Sequence, residues 1–363
     1  MKRFLMSSWI VLLGLASASL LAAAEAVRYE IPFPHLPGYQ TLKCDLHTHT
    51  VFSDGLVWPT VRITEAWRQG LDVTSLTDHI EYQPHKDQVP TNHAMPYELA
   101  AGAAQLSQLL LVRGAEITRD TPPGHFNAIF LKDIAPLDTP DLLEAIGRAC
   151  SQGAFVFWNH QGWKGPEKGR WLDVHTQLFD KGWLRGLEVC NGDEYYPDAH
   201  RWCLDKNLTM LGTSDIHEPD LRTRSTADDH RTMTLVFAKD KTADSLKEAL
   251  LQRRTLVWYQ NQLIGRRELL EPFFYACLQV APPHARGKNY VAFAARNVSA
   301  ADIQLALRGQ IGPAQLTFPA GSTRVVRLST ATPNEPLQLE YTATNFLIAP
   351  QTGLPVTLKI AGR

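Results

Sequence analysis

The sequence predicts an α/β protein in which a closed, mainly parallel barrel is followed by a small all-β module. Short apolar runs alternate with helical patterns between residues 41 and 265, which is typical of strands joined by helices. Seven or eight of these runs read as strands, enough to close a barrel. Between residues 285 and 363, short β-like runs follow one another without a helical pattern, which predicts a β-sandwich.

The first 26 residues are expected to form a secretory signal peptide. Lys2 and Arg3 give a positive start, an apolar stretch follows, and small residues lead to an expected cleavage after Ala26. An uncleaved membrane anchor is the alternative interpretation. No other apolar stretch is long enough to cross a bilayer, so we expect a periplasmic or secreted protein with no further membrane contact.

Residues 27–40 are rich in proline and predict an extended lead-in to the barrel. The barrel strands are expected in the runs QTLKCDLHTH, LDVTSLTDH, LLLVRGAEIT, HFNAIFL, GAFVFWNH, LRGLEVCN, LTMLGTSDIH and RTMTLVFA. Helical patterns between them are PTVRITEAWRQG, PYELAAGAAQLSQL, TPDLLEAIGRACSQG, DAHRWCLDKN and TADSLKEALLQRR. In the third of these, Thr139 is the expected N-cap, Pro140 the first helical residue, and Gly153 suits the far end.

Composition and charge limit the classes of partner. Charged residues make up 20% of the chain, its formal net charge is −1, and its basic residues form no tract or stripe. A nucleic-acid-binding surface is therefore not expected. The C-terminal module contains no cluster of His, Asp or Glu, so we expect it to carry no chemistry.

Histidines and carboxylates collect where the apolar runs of the barrel end. His47 and His49 close the first run, and residues spaced by two in a strand point to the same face. Asp215 and His217 repeat this spacing at the end of a later run. Because active sites of α/β barrels form at the carboxyl ends of the strands, we expect one metal site built from His47, His49, Asp54, His79, Glu116, His125, His160, Asp215 and His217.

Each of these residues taken alone has a simpler explanation. His125 could be a loop residue, His160 a core histidine and Glu116 half of a salt bridge. Asp78 could be a helix N-cap and is left out of the ligand set. Coincidence at five or six strand ends is much less plausible than a shared role.

The number and chemistry of the donors predict two to three divalent ions. A catalytic zinc ion takes about three protein ligands, so nine donors are too many for one ion. Three ions, two of them bridged by Glu116, would use all nine. Imidazole with carboxylate suits Zn²⁺, Mn²⁺ or Fe²⁺, whereas Ca²⁺ prefers oxygen ligands.

The motifs DLHTHTVFSDG, LTDH, GAEIT, GHFNAIF, WNH and TSDIH, in this order, resemble the PHP (polymerase and histidinol phosphatase) family of metal-dependent phosphoesterases. The resemblance implies a distorted (β/α)7 barrel with a trinuclear site. It assigns one ion to His47, His49, Glu116 and Asp215, a second to Glu116, His125 and His160, and a third to Asp54, His79 and His217. The longer stretches GLVWPTVRITEAWRQGLD, HIEYQPHKD and RGAEITRDTPPGHFNAIFLKD look like an exported branch of Sb-PDE-like phosphodiesterases.

These observations predict an exported phosphodiesterase acting on a small anionic phosphate ester. A hydroxide that bridges the ions beside Glu116 would attack phosphorus in line. The alternatives are a phosphomonoesterase of the same family and an amidohydrolase-type C–N or lactone hydrolase. The latter usually needs a bridging carboxylated lysine, and no lysine ends RGAEIT or FVFWNH. A non-catalytic metal-binding or carbohydrate-binding protein is a third possibility.

Several polar residues follow the metal-bearing strand ends and are candidate substrate contacts. They could bind phosphate oxygens, or they could be solvated loop residues without a role. The candidates are Arg119, Tyr82, Lys86, His85, Asn191, Arg222 and Arg224.

Overall fold

The structure is a computed structural model that describes residues 27–90, 92–222 and 224–363. The predicted signal peptide, residues 1–26, lies outside the described residues. Among the helices of the described part, none combines the length and the apolar character that crossing a bilayer requires.

The N-terminal domain is a mixed α/β domain. Its strands are β1 (Gln40–Asp45), β2 (Val73–Leu76), β3 (Leu110–Ile117), β4 (Phe126–Ile129), β5 (Phe155–Trp158), β6 (Leu184–Asn191), β7 (Glu194–Tyr195), β8 (Thr209–Thr213), β9 (Met233–Ala238), β10 (Thr255–Tyr259) and β11 (Gln262–Gly265). Its helices are α1 (Pro59–Arg68), α2 (Met95–Leu106), α3 (Leu142–Ser151), α4 (Asp173–Asp180), α5 (Pro197–Asp205), α6 (Ala243–Leu251) and α7 (Arg267–Cys277).

Seven of these strands form a closed barrel, as predicted. β1, β2 and β3 pair in parallel, β4 joins β3 to β5, and β5, β6 and β8 pair in parallel again. The ring closes just beyond the ends of β1 and β8, through a parallel bridge between Thr48 and Ile216. There the amide of Asp215 donates to the carbonyl of His47 at 2.9 Å, and the amide of His49 donates to that of Ile216 at 3.1 Å.

One strand distorts the barrel. β4 runs antiparallel to both β3 and β5, because the link from Ile117 to Phe126 is too short for the crossover that a parallel neighbour requires. As a result, the start of β4, rather than its end, lies at the rim where the other strands end. His125, which directly precedes β4, is thereby brought to that rim.

The predicted N-cap of α3 is wrong by two residues. The helix begins at Leu142, and the side chain of Asp141 accepts a hydrogen bond from the amide of Glu144 at 2.7 Å. The Thr139 hydroxyl instead donates to the Glu144 carboxylate at 2.9 Å. Asp141, directly before the first helical residue, is therefore the N-cap, and the expectation that Pro140 is the first helical residue is also wrong, since Pro140 precedes the helix. Gly153, with φ of +83°, follows the end of the helix as expected.

The C-terminal module is an all-β sandwich, also as predicted. Its strands are β12 (Leu278–Val280), β13 (Ala285–Gly287), β14 (Tyr290–Asn297), β15 (Ile303–Leu307), β16 (Gln315–Phe318), β17 (Thr323–Ser329), β18 (Leu337–Ala349) and β19 (Thr352–Ile360). β12 follows α7 directly and pairs with β14, so the module includes residues before the predicted boundary at 285. β12, β13, β14 and β17 form one sheet, and β15, β16, β18 and β19 belong to the other.

The two domains share a sheet and a core. β11 of the barrel domain pairs in parallel with β18, and the rings of Phe274 and Phe346 meet edge to face at 5.3 Å. The buried Asn345 amide donates to the carbonyls of Asn261 and Asp302, each at 2.7 Å, and accepts from the amide of Gln304 at 3.0 Å. The junction therefore combines apolar packing with a satisfied polar contact.

The substitution Asn345→Ala should lower the free energy of unfolding by about 2–4 kcal/mol, because it removes three hydrogen bonds at a buried position. Chemical denaturation followed by circular dichroism measures the change. Gln338→Ala, at an exposed position of the same strand, is the control and should change stability by no more than about 0.5 kcal/mol. Equal stability of the two variants would contradict a structural role for this junction.

Candidate metal centre

The rim of the barrel surrounds a cavity of about 1060 Å³. Six of the nine candidate ligands line this cavity, and the remaining three, His47, His49 and Glu116, are fully buried beneath it. The structure therefore brings together all nine side chains that the sequence predicts at the site. The family resemblance divides them into three groups. These groups share donors, and His49 of the first group also lies with Asp54, His79 and His217.

The first group lies at the point where the barrel closes. The Nε2 atoms of His47 and His49 are 3.0 Å apart. Each lies 3.2 Å from Oε2 of Glu116, and they lie 3.1 and 3.0 Å from Oδ1 of Asp215. Tetrahedral ligands at about 2.0–2.1 Å from a zinc ion are separated by about 3.3–3.4 Å. The spacing of these four atoms is therefore close to that of a tetrahedral site.

The second group uses the other oxygen of the same glutamate. Oε1 of Glu116 lies 2.8 Å from Nδ1 of His125 and 3.5 Å from Nε2 of His160. The second oxygen of Asp215 is 3.8 Å from the same His160 nitrogen. One carboxylate thus faces two groups of donors, as a bridging ligand does.

The third group lies nearer to solvent. Oδ1 of Asp54 is 3.1 Å from Nε2 of His217 and 3.5 Å from Nε2 of His79. The other ring nitrogen of His79 lies 3.0 Å from Oε2 of Glu116, so this imidazole stands between the groups. His217 is the most exposed residue of the third group, with one third of its side chain accessible.

Backbone strain accompanies two of the candidate ligands. Asp215 has φ of +51° and His160 has φ of +24°, in the region that residues with a side chain rarely adopt. Such a conformation costs about 1–2 kcal/mol and persists where the surrounding structure imposes it. Here it lets a residue just after a strand aim its side chain back into the cavity.

The arrangement of lone pairs fits a bound cation. Nδ1 of His47 donates to Glu188 at 2.8 Å, and Nδ1 of His49 contacts the Ser53 hydroxyl at 3.1 Å. With the proton on Nδ1, both Nε2 atoms turn lone pairs toward carboxylate oxygens. Oδ1 of Asp54 and Oδ1 of Asp215 are buried and lack a well-formed hydrogen bond within the described residues. Such oxygens are costly to bury without a positive charge nearby.

The pKa shifts of His47 and Glu116 also arise from the close packing of imidazoles and carboxylates. Burial opposes protonation of His47, but the carboxylates of Asp215 and Glu188 outweigh it and raise the pKa of this imidazole well above its usual value. Burial would raise the pKa of Glu116, but the imidazoles of His79 and His47 lower it well below the usual range. Both shifts show that the carboxylates attract positive charge to this point.

Sequence analysis missed the residues that orient the candidate ligands. Glu188, in the middle of β6, accepts hydrogen bonds from His47 and, at 2.7 Å, from the amide of His160. Asp78 accepts from the Ser53 hydroxyl at 2.7 Å and from the Thr50 amide at 2.7 Å. The available signal for Glu188 is an acidic residue between two apolar ones, Leu187 and Val189, within a strand. Asp78, which the sequence does not place among the ligands, supports the end of the first strand.

Two buried arginines fix the rim from below. The Arg62 guanidinium donates to the carbonyls of His49 and His217, each at 3.0 Å. Arg231 donates to Asp220 at 2.7 Å and lies 3.3 Å from Asp45. Nothing in the local sequence pattern of either residue predicts that its guanidinium is buried.

Three of the predicted substrate contacts line the cavity: Tyr82, Arg119 and Asn191. The Arg119 side chain is held by Glu81 and by the carbonyl of Thr139. The Asn191 amide donates to Glu188 at 2.9 Å and lies 3.3 Å from Asp215. Asn191 therefore orients carboxylates. Of the three side chains, Tyr82 is the one most available for contact with a ligand.

The other four predicted contacts are not among the described residues that line the cavity. His85 and Lys86 lie in the turn after Tyr82, and Arg224 is exposed. Arg222 contacts Asp220 at 3.2 Å and Asp229 at 2.9 Å, so its charge is already paired. Two carboxylates therefore hold the Arg222 guanidinium away from the cavity lining, and a substrate contact by Arg222 is not supported by this geometry.

Comparison with known proteins supports the assignment of both the barrel domain and the C-terminal β-sandwich. A family model described as an Ig-like domain matches residues 278–359. No curated protein matches the chain. A crystal structure from Bacteroides vulgatus, of a two-domain protein containing a predicted PHP-like metal-dependent phosphoesterase, is 44% identical with a TM-score of 0.87. The match covers 92% of this chain and 99% of that one.

Two further structures are much less similar and carry no argument about the site. An amidohydrolase from Chromobacterium violaceum with bound sulfate and no metal is 17% identical, with 48% of this chain and 88% of that chain covered and a TM-score of 0.37. A candidate metal-dependent phosphoesterase from Bifidobacterium adolescentis is 18% identical, with 57% and 95% covered and a TM-score of 0.39. From its similarity to the Bacteroides protein over nearly the whole length, the chain belongs to the family of two-domain PHP-like metal-dependent phosphoesterases.

Proposed function

We propose that this protein is an exported phosphodiesterase that hydrolyses small phosphate esters at a site holding three divalent ions. The observation that carries the proposal is the convergence of nine donor side chains on one cavity, in a chain that belongs to a phosphoesterase family. The first ion would be held by His47, His49, Glu116 and Asp215, the second by Glu116, His125 and His160, and the third by Asp54, His79 and His217. Zn²⁺, Mn²⁺ and Fe²⁺ suit these donors.

The ions, when bound, would supply a nucleophile from coordinated water at neutral pH and positive charge beside the phosphoryl oxygens. The chain's own part is to hold the donors rigidly. Glu188 keeps the proton of His47 on Nδ1 and thereby keeps Nε2 free to bind a cation. The Asn159 amide donates to Oε1 of Glu116 at 3.1 Å and fixes the plane of the carboxylate that faces two groups.

The electrostatics of the cavity favour a diester over a monoester. Beyond the candidate ligands, the charged lining residues are the carboxylates of Glu81, Asp120, Asp193 and Glu194 and the cations Arg119 and Lys164. Arg119 pairs with Glu81, so the remaining carboxylates outnumber the remaining cation. A phosphate monoester carries about 1.5–2 negative charges at pH 7, whereas a diester carries one, so these carboxylates repel a monoester more strongly. A cavity of about 1060 Å³ also has room for two organic substituents.

An amidohydrolase-type reaction has less support. The bridging position between the first two groups is occupied by the carboxylate of Glu116. Lys164 is the lysine among the described lining residues, and its ammonium lies over the ring of Trp163 at 4.5 Å. It is exposed and does not stand between donor groups, so it is not placed as a carboxylated bridging lysine.

Removal of metal should abolish hydrolysis of bis-p-nitrophenyl phosphate. We expect treatment with a chelator to lower the rate by at least about a hundredfold and reloading with Zn²⁺ or Mn²⁺ to restore it, because the ions supply nucleophile and charge. The same protein should hydrolyse p-nitrophenyl phosphate more slowly. A rate unaffected by chelation would contradict metal dependence, and a faster monoester reaction would contradict diester preference.

Asp54→Asn should reduce the metal content by one ion per chain, because Asp54 is the carboxylate of the third group and lies closer to His217 and His79, at 3.1 and 3.5 Å, than to His49, at 3.7 Å. Elemental analysis of protein loaded with excess metal and then desalted gives the stoichiometry. The matched control is Asp120→Asn, at an exposed carboxylate that lines the same cavity, and it should keep three ions. If Asp54→Asn retained the same metal content as the control, the third site would have to be assigned elsewhere.

Export predicts a shortened N-terminus. When the full-length gene product is expressed with a functional secretion pathway, intact-mass analysis of the periplasmic or secreted fraction should show a chain that begins at Val27. A chain that still begins at Met1 and sediments with membranes would support the anchor interpretation instead.

A further inference from the structure

Two large aromatic side chains stand exposed at the cavity. Tyr82 is 52% and Trp163 is 46% accessible, and both line the same cavity as the candidate metal ligands. A folded protein leaves single apolar side chains in water without consequence, but an aromatic pair at the mouth of a polar pocket is typical of a ligand site.

Each of the two rings contacts imidazoles among the candidate ligands. The Tyr82 ring meets the imidazole of His79 at 5.8 Å, and the Trp163 ring lies 5.8 Å from His125 and 5.6 Å from His160. His79 and His125 are themselves 5.7 Å apart. A phosphoryl group bound over these imidazoles would therefore have two aromatic rings nearby, Tyr82 beside His79 and Trp163 beside His125 and His160.

The Trp163 ring is also held in place. The Trp163 amide donates to the carbonyl of His160 at 3.1 Å, which ties the residue to the turn after β5. The ammonium of Lys164 lies 4.5 Å from the centre of the Trp163 ring, a cation–π contact. A ring that is already ordered loses little freedom when a ligand stacks on it.

We propose that Tyr82 and Trp163 form an aromatic subsite that binds a planar ring in the organic part of the substrate. The inference rests on the proposed function and names its substrate class: phosphate esters of aryl or nucleoside alcohols, rather than of small alkyl alcohols. The exposed carboxylates of Asp193 and Glu194 at the same mouth disfavour substrates that carry additional phosphates.

The test compares two ligands that differ only in the organic group. Isothermal titration calorimetry of the metal-loaded protein with phenylphosphonate and methylphosphonate gives the ratio of their dissociation constants. We expect the phenyl compound to bind at least about tenfold more tightly, because contacts between aromatic rings contribute a binding free energy of this size. Trp163→Ala should bring the ratio close to one, and Trp163→Phe should retain most of it.

Trp58→Ala is the matched control. Trp58 is 44% accessible and is not among the described residues that line the cavity, so the ratio should stay at the wild-type value. Tyr82→Ala provides a second variant should Trp163→Ala fold poorly, and it should lower the ratio as well. Adenosine 5′-methylphosphonate is a third ligand that distinguishes nucleoside esters from aryl esters. Tighter binding than phenylphosphonate indicates that the subsite takes a nucleobase, and weaker binding indicates a simple aryl group.

The outcomes separate this inference from the proposed function. If both phosphonates bind the wild-type protein equally well and diester hydrolysis is intact, the aromatic subsite is wrong and the phosphodiesterase stands. If neither binds and no phosphate ester is hydrolysed after metal loading, the proposed function itself fails. A phenyl preference that survives both Trp163→Ala and Tyr82→Ala would place the ring elsewhere and overturn the inference.

Discussion

The site depends on one electrostatic constraint: several lone-pair donors are buried within hydrogen-bond distance of one another. Nε2 of His47 and of His49 face the same oxygens of Glu116 and Asp215 at 3.0–3.2 Å. Imidazole nitrogens and carboxylate oxygens repel each other at this separation unless a proton or a metal cation lies between them. The chain neighbours of these residues close the barrel, since Thr48 and Ile216 form the bridge between its first and last strands. A cation bound there would therefore tie β1, β3 and β8 together as well as serve chemistry.

A second set of buried charges holds this arrangement from beneath. Arg62 donates to two rim carbonyls, and Arg231 pairs with Asp45 and Asp220. Asp45 in turn accepts hydrogen bonds from the amide and hydroxyl of Ser214, at 3.0 and 2.6 Å, next to the strained Asp215. Buried ion pairs contribute little net stability, but losing one partner is costly. Their effect here is to hold the rim in one geometry, which a metal site requires.

Active sites of α/β barrels form at the carboxyl ends of the strands, and this explains why so much of the site can be predicted from the sequence. His47, His49, Asp215 and His217 lie at a spacing of two after apolar runs, so their convergence follows from strand geometry and from the barrel alone. Glu188 was not found, because a carboxylate inside a strand gives no sign of the side chain that it meets across the barrel. The reversal of β4 and the pairing of Arg222 depend on loop paths, and loop paths are set by tertiary contacts rather than by local pattern.

The sandwich module completes the barrel domain without entering the site. Every described residue that lines the cavity comes from the segment between Asp54 and His217, whereas the module begins at β12. Its strand β18 covers the edge of β11, an edge that would otherwise expose unpaired backbone groups. Phe274 and Leu263 of the barrel domain are buried in a cluster that continues through Phe293 and Phe346. Since β11 pairs with β10, and β10 with β9 beside β1, the module braces the strand that carries His47 and His49 through a continuous sheet.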